Sequence, residues 1–311
     1  MTNIVHILNA EQIEQVLTKY ANCKVERNAP GVVFAAKLPD TSITVYKSNK
    51  VMYQGAGAAR EAAIFGEVAG NTPKVTNTKG DKLPDRFDTM SVIGSDETGT
   101  GDYFGPITVA AVYVPESKIE LIKELGAKDS KQINDTIVRE IAPLIMQSCT
   151  YSLLTLRNPR YNEIQAKGYS QGKIKALLHN QALAKVLEKI APEKPDYILI
   201  DQFAERGIYY NHIKSQKQIV RENVLFSTKA EQLHVAVAAA SIIARYAFLL
   251  EMDKIGEQFS MPIQKGAGAK VDEQAARIIK KYGKETLQSV TKWHFANTSK
   301  AFAKLKNIKF D

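Results

Sequence analysis

The chain has 311 residues, of which 44% are hydrophobic and 24% charged, and its formal net charge is +9. This composition is typical of a soluble globular protein that buries a sizeable core, and the length predicts about two domains. The positive charge favours a polyanionic partner that meets a folded surface, because no polybasic tail is present. Two distant cysteines, Cys23 and Cys149, exclude a disulfide framework and a cysteine metal site.

Two further features predict a cytoplasmic protein that does not engage a membrane. The start, MTNIVHILNA, lacks the basic region and the long apolar region of a signal peptide. The longest run of small apolar residues, VAVAAASIIA from Val235, is too short and too rich in alanine to span a bilayer.

Residues 1–70 predict a small α+β domain. NIVHIL is a short strand, and Asn9 with Gln12 has the spacing of a helix N-cap and its partner. A helix follows, then three strands in a meander, and a second helix closes the domain. The three strands are GVVFAAKL, SITVYKS and KVMYQG, and the closing helix is AAREAAIFGEVAG.

One face of this small sheet is a candidate nucleic-acid surface. In the middle strand, Thr44 and Tyr46 share the face opposite Ile43 and Val45. Tyr46, Lys47 and Lys50 then predict an aromatic platform with cations for a nucleic-acid backbone. The alternative is an ordinary solvated sheet with surface lysines.

Residues 71–90 are polar, contain two prolines and show no periodicity, which predicts a linker. Residues 91–311 predict one α/β domain whose mixed sheet is covered by helices on both faces. Its predicted strands are SVIGSDE, ITVAAVYV, TYSLLTLR, DYILID and VLFST. Its predicted helices are Asn134–Gln147, Gln171–Lys189, Lys229–Lys254, Glu273–Lys281 and Ala296–Leu305.

Four acidic residues stand where chemistry is expected. Asp96 and Glu97 end the first of these strands, Asp201 ends DYILID, and Glu231 begins the long alanine-rich helix. If the strands that carry Asp96 and Asp201 are parallel neighbours, their carboxylates meet at one edge of the sheet. Such a cluster repels itself unless divalent cations occupy it, and oxygen ligands suit Mg²⁺ or Mn²⁺.

Each acid also has an ordinary structural interpretation. Asp96 and Asp201 could bond to nearby loop amides, and Glu97 could point to solvent. In TKAE, Thr228 and Glu231 match a capping box at the start of a helix.

The glycines that follow Glu97 allow a ligand to approach the backbone closely. Gly99, Thr100 and Gly101 leave backbone amides open, although the same pattern also fits a tight hairpin turn.

Four ordered motifs resemble the type-2 ribonuclease H superfamily. They are GSDETGTGDYFGP, KDSK, IDQFAE and KAEQLHVAVAAASIIARY. Within the superfamily the chain is most similar to ribonuclease HIII, whose members carry an N-terminal domain similar to half of a TATA-box-binding protein. Ribonuclease HII typically has Gly-Arg-Gly where this chain has residues 99–101, and a tyrosine where it has Ala267. It also has an aspartate in place of Glu231, so all three departures favour the type-3 family.

The resemblance implies a metal-dependent endonuclease that hydrolyses the RNA strand of RNA/DNA hybrids and leaves 5′-phosphate and 3′-hydroxyl ends. It implies that Asp96, Glu97, Asp201 and Glu231 hold two Mg²⁺ or Mn²⁺ ions. Gly99, Thr100 and Gly101 would recognise the 2′-hydroxyl, and Lys128, Ser130 and Lys131 would contact phosphate.

Two rival functions remain open at this point. One is ribonuclease HII-like cleavage at single ribonucleotides in DNA, and the other is a hybrid-binding protein without activity. We also expect a monomer, although no sequence feature supports that expectation.

Overall fold

The structure is a computed structural model that describes residues 3–27, 29, 31–66, 80–127 and 133–305. Within them the chain forms a four-stranded sheet, in the order β1-β4-β3-β2, and a five-stranded sheet, in the order β7-β6-β5-β8-β9. The strands are Asn3–Ile7 (β1), Val32–Lys37 (β2), Thr41–Tyr46 (β3), Lys50–Gly55 (β4), Val92–Thr98 (β5), Ile107–Val114 (β6), Thr150–Leu156 (β7), Tyr197–Asp201 (β8) and Val224–Ser227 (β9). The α-helices are Ala10–Lys19 (α1), Ala58–Ala62 (α2), Ile119–Glu124 (α3), Asp135–Ser148 (α4), Asn158–Ala166 (α5), Gln171–Ile190 (α6), Arg206–Ile213 (α7), Val235–Phe259 (α8), Ala269–Tyr282 (α9), Lys284–Val290 (α10) and Ala296–Leu305 (α11).

The N-terminal sheet is antiparallel, as the meander predicts, and an apolar cluster joins one of its faces to α1 and α2. The predicted capping box is confirmed, because Asn9 accepts a hydrogen bond from the Gln12 amide and Gln12 accepts one from the Asn9 amide. The predicted closing helix is too long: α2 covers five residues, and residues 67–70 lie outside the described part of the chain.

The opposite face of this sheet is covered, so the prediction that Tyr46 lies on an open face is wrong. Tyr46 is only 2% exposed and belongs, with Met52, to the apolar cluster that contains Ile122 of α3. Lys50 forms an ion pair with Glu124 at 3.5 Å. Period-two alternation separates the two faces of a strand, but it does not show that a helix distant in the sequence covers one of them.

The described part of the predicted linker is packed against the second sheet. Residues 71–79 lie outside the described part, but Gly80 forms an antiparallel bridge with Ser227 at the end of β9. The Asp81 carboxylate accepts a hydrogen bond from the Phe226 amide at 2.7 Å and forms an ion pair with Arg206. The boundaries of the linker and of the two domains stay predictions.

In the larger sheet, β5 pairs with β6 antiparallel and with β8 parallel, so the sheet is mixed as predicted. All five predicted strands are present. One apolar cluster joins one face of the sheet to α8, and a second cluster joins the other face to α6. The prediction that the central strands are covered on both faces is therefore confirmed.

Helix α8 lies directly against β5 because Gly94 has no side chain. A Cβ at Gly94 would be 2.2 Å from the Val237 amide nitrogen, far inside a normal contact. By length and composition, α8 is the one candidate membrane span among the described residues, but 72% of its most apolar window is buried inside the protein. Its apolar surface thus serves the core of the sheet.

Helix α8 begins at Val235, six residues later than predicted, and helices α3, α5, α7 and α10 were not predicted. These four helices are six to nine residues long, too short for a clear period of apolar residues.

Candidate active site

Asp96 and Asp201 lie on neighbouring parallel strands, as the sequence predicts. Ser95 of β5 is in register with Ile200 of β8, and each aspartate is the next residue along its strand. Their carboxyl groups therefore meet where the two strands open into loops.

Asp96 lies close to two other acids of the site, Asp201 and Glu97. Burial raises the pKa of its carboxyl well above the ordinary value, and the charges of Asp201 and Glu97 raise it further. Hydrogen bonds from Ser241 and from the Glu97 amide, the latter at 2.7 Å, act in the opposite direction. The protein thus places this carboxyl where a negative charge is unfavourable unless a cation is nearby.

Glu97 is held by two side chains of α6. Its Oε1 accepts a hydrogen bond from Lys175 Nζ at 2.8 Å, and its Oε2 lies 2.9 Å from His179 Nε2. Burial alone would raise the pKa of Glu97, but His179 and Lys175 together lower it to about 2. The His179 ring is fully buried, and its Nδ1 lies 2.9 Å from Ser95 Oγ, so Glu97 has a defined orientation.

A short turn that contains Glu231 is hydrogen-bonded to Asp201. The Asp201 Oδ1 accepts a hydrogen bond from the Ala230 amide at 2.9 Å, and Glu231 is the next residue. Burial raises the pKa of Asp201, the Ala230 amide opposes this, and the charges of Glu231 and Glu97 add to the rise. Glu231 is 8% exposed, so it is not a surface residue.

The capping-box interpretation of Glu231 is wrong. Residues Ala230–Gln232 form a single 3-10 turn, which follows Lys229 in the left-handed conformation with φ of 57°. Helix α8 begins after this turn, and its N-cap is His234, whose side chain accepts a hydrogen bond from the Ala236 amide. The turn therefore places Glu231 beside Asp201, outside the helix.

The donor set fits a divalent cation by charge and by type. The charges of neighbouring carboxylates raise the pKa of Asp96 and of Asp201, and hard cations with oxygen ligands relieve that repulsion. Among the described residues, no three His, Cys, Asp or Glu side chains are arranged as ready-made ligands of one ion. Lys175 and His179 each contact one oxygen of Glu97, and a carboxylate oxygen that accepts one hydrogen bond keeps a lone pair for an ion.

The loop of residues 99–106, called the glycine loop below, connects β5 to β6 beside these acids. Gly99 is required by the fold, because its φ is +93° and a Cβ there would be 2.2 Å from the Pro106 carbonyl oxygen. Gly101 is different: its added Cβ would meet no atom within 4 Å. The Thr100 carbonyl accepts a hydrogen bond from Gln171 Nε2 at 2.9 Å.

The segment of residues 266–268 lies against the glycine loop. The Gly266 amide donates to Asp102 Oδ1 at 2.6 Å, and the Gly266 carbonyl accepts from the Tyr103 amide at 2.9 Å. Ala267, the next residue, is therefore close in space to the loop that the resemblance associates with ribose recognition.

The remaining residues predicted to contact substrate differ in whether the structure describes them and in how exposed they are. Lys128, Ser130 and Lys131 lie outside the described residues. In the N-terminal sheet Lys47 is exposed, so its contact with substrate stays a prediction. Tyr46, by contrast, is too deeply buried to stack on a base in this arrangement.

Three residues that contact the acids were not predicted as site residues. Lys175 and His179 are four residues apart on α6, which places them on one helical face, but lysines on helices are usually solvated. Ser241 lies inside an alanine-rich run, where a single polar residue gives a weak signal.

Comparisons with known proteins address the family directly. A family model described as Ribonuclease HII matches residues 93–298, and one described as a domain of unknown function, DUF3378, matches residues 3–78. Ribonuclease HIII of Lysinibacillus sphaericus is 61% identical over 97% of this chain and 99% of its own length. The chain belongs to the ribonuclease HIII family.

Further relatives agree with that assignment. Ribonuclease HIII of Bacillus velezensis is 52% identical over 97% of each chain. The crystal structure of Bst-RNase HIII in complex with Mn²⁺ is 44% identical, covers 99% of this chain and 100% of its own, and superposes with a TM-score of 0.70. The chain is accordingly an enzyme of the ribonuclease H type, an endoribonuclease.

Proposed function

We propose that the chain hydrolyses the RNA strand of RNA/DNA hybrids at the site formed by Asp96, Glu97, Asp201 and Glu231. The observation that carries the proposal is that Asp96 and Asp201 end neighbouring parallel strands, with Glu97 and Glu231 beside them. A protein that only binds nucleic acid gains nothing from concentrated negative charge beside a phosphate backbone. Family membership supports the same reaction class.

The four acids would hold two Mg²⁺ or Mn²⁺ ions, and a relative of known structure is described in complex with Mn²⁺. When bound, such ions supply an activated water and stabilise the charge that develops on the phosphate and on the leaving oxygen. Asp96 contributes a carboxyl whose ionisation is favoured by a nearby cation, and the short turn holds Glu231 beside Asp201. His179 and Lys175 keep Glu97 ionised and oriented toward the site. The products would carry 5′-phosphate and 3′-hydroxyl ends.

Recognition of RNA would come from the glycine loop. The amides of Thr100 and Gly101 have no hydrogen-bond partner within the part of the chain that the structure describes. Gly101 faces open space and needs no positive φ, so the fold itself does not require glycine there. A ligand that approaches the backbone closely does require it. The 2′-hydroxyl, both donor and acceptor, distinguishes RNA from DNA in such a contact.

A substrate panel tests the proposal. Matched duplexes of RNA/DNA, DNA/DNA and DNA with one ribonucleotide are incubated with Mg²⁺, Mn²⁺ or EDTA, and product ends are mapped. We expect cleavage of the RNA/DNA hybrid alone, and only when Mg²⁺ or Mn²⁺ is present. The products should carry 5′-phosphate and 3′-hydroxyl ends, which a ligase can rejoin. Preferred cleavage at the single ribonucleotide would overturn the substrate assignment, and hybrid binding without cleavage would overturn the catalytic one.

A further inference from the structure

A fully buried lysine, Lys292, is hydrogen-bonded to the backbone of the glycine loop. Lys292 is 0% exposed, and its Nζ donates hydrogen bonds to the carbonyl oxygens of Asp102 at 2.8 Å and Gly105 at 2.7 Å. The Pro106 carbonyl oxygen lies at 3.4 Å. The main chain contributes as well, because the Lys292 amide donates to the Tyr103 carbonyl at 2.8 Å.

A lysine in this position is costly. Burial lowers the pKa of Lys292 to about 7, and the charge of Asp102 opposes that change. A methionine would fill a similar volume without this penalty, but it would remove a donor from two inward-facing carbonyls. Two N–H donors, which even the neutral amine retains, match the two shortest contacts. The side chain therefore serves the conformation of the loop.

The tip of the glycine loop, at Thr100, is held by helix α6. Gln171, the first residue of α6, donates from Nε2 to the Thr100 carbonyl. The same helix carries Lys175 and His179, which hold Glu97. Helix α6 thus fixes the position of the Thr100–Gly101 peptide relative to the Glu97 carboxylate.

We propose that Lys292 and Gln171 are positioning residues that hold the base and the tip of the glycine loop and thereby set the enzyme's preference for ribose. This inference rests on the proposed role of the loop in reading the 2′-hydroxyl. Neither side chain needs to contact the substrate. Each acts by fixing the backbone amides and carbonyls that do.

The test is a thermodynamic cycle between protein and substrate. Hybrids with four consecutive ribonucleotides are prepared, and each 2′-hydroxyl is replaced in turn by fluorine. kcat/KM is measured for each substrate with the wild type, Lys292→Met and Gln171→Ala. Two controls, Lys300→Met on α11 and Gln181→Ala on α6, change the same residue types at exposed positions.

For the wild type, we expect fluorine at one position to lower kcat/KM by about tenfold or more, since a lost buried hydrogen bond costs about 1–3 kcal/mol. In Lys292→Met and Gln171→Ala that penalty should shrink to about threefold or less, while both controls keep the full penalty. General destabilisation lowers the rate with both sugars equally and leaves the penalty unchanged. The ratio of kcat/KM for the hydroxyl substrate to kcat/KM for the fluorine substrate therefore distinguishes loss of positioning from loss of stability.

An undiminished penalty in both variants would overturn the inference while leaving the proposed function intact. If the wild type shows no penalty at any position, the loop does not read the 2′-hydroxyl, and both proposals on ribose recognition fail. Should Lys292→Met lack the circular dichroism spectrum of the wild type, Gln171→Ala decides alone, because Gln171 is half-exposed at a helix start.

Discussion

His234 predicts an unusual sensitivity of the metal-free protein to mild acid. Its ring is buried, with Nδ1 accepting from the Ala236 amide at 3.0 Å and Nε2 donating to the Met90 carbonyl at 3.1 Å. Burial lowers the pKa of His234 from 6.5 to about 3. Protonation of the folded state would break the contact with Ala236, which caps helix α8.

The sign and size of the effect follow from proton linkage. Below pH 6.5 the unfolded chain binds a proton at this histidine that the folded chain does not. The free energy of unfolding therefore decreases as the pH is lowered from about 6.5 to about 3. For these two pKa values the loss between pH 7 and pH 5 is about 2 kcal/mol. His234→Asn keeps a good N-cap residue and removes the titrating ring. The variant should be less stable at pH 7 but should lose about 2 kcal/mol less on acidification.

Urea unfolding in EDTA at pH 7 and pH 5 provides the assay. The single tryptophan of the chain, Trp293, reports the unfolding of the larger domain by fluorescence. Because other acids titrate equally in both proteins, their contribution cancels in the difference between wild type and variant. Parallel losses of stability in the two proteins would refute the assignment of this acid sensitivity to His234.

Three further changes test other parts of the structure. Gly94→Ala should lower the free energy of unfolding, measured in urea, by about 3 kcal/mol or more, because the added Cβ would overlap the Val237 amide and no side-chain rotation relieves a backbone contact. A variant as stable as the wild type would contradict the packing of α8 on β5. Glu231→Gln should retain the wild-type melting temperature and hybrid affinity while cleavage falls about 100-fold or more, and near-normal cleavage would exclude Glu231 from the site. Lys175→Met should lower stability in EDTA by about 2 kcal/mol, since it removes the lysine that pairs with the Glu97 carboxylate. This deficit should narrow in millimolar Mn²⁺, and an unchanged deficit would argue against ion binding at Glu97.

The strands and two of the acids could be predicted because their signals are local. Apolar runs that end in Asp96 and Asp201 indicate buried strands that open into loops, and parallel pairing of those strands follows the usual rules of α/β sheets. The position of Glu231 could not be predicted in detail. TKAE has the pattern of a capping box, but the left-handed Lys229 and the 3-10 turn are set by packing against β8 and α8.

Contacts between distant parts of the chain account for the remaining errors. Tyr46 has the alternation of a sheet surface, and only the position of α3 shows that this surface is covered. His179 and Lys175 resemble ordinary helix residues until the helix is placed beside Glu97. Lys292 gives no sequence signal at all, because nothing local distinguishes a buried lysine from a solvated one.

Single-turnover cleavage of one RNA/DNA hybrid tests the central claim most directly. The wild type, Asp96→Asn and Asp201→Asn are compared in Mn²⁺, with hybrid affinity and melting temperature measured in EDTA. We predict that both variants fold and bind the hybrid but cleave it about 1,000-fold more slowly or not at all, since each loses a carboxylate that we propose as an ion ligand. Variants that fold and cleave at the wild-type rate would show that these carboxylates are not the catalytic centre.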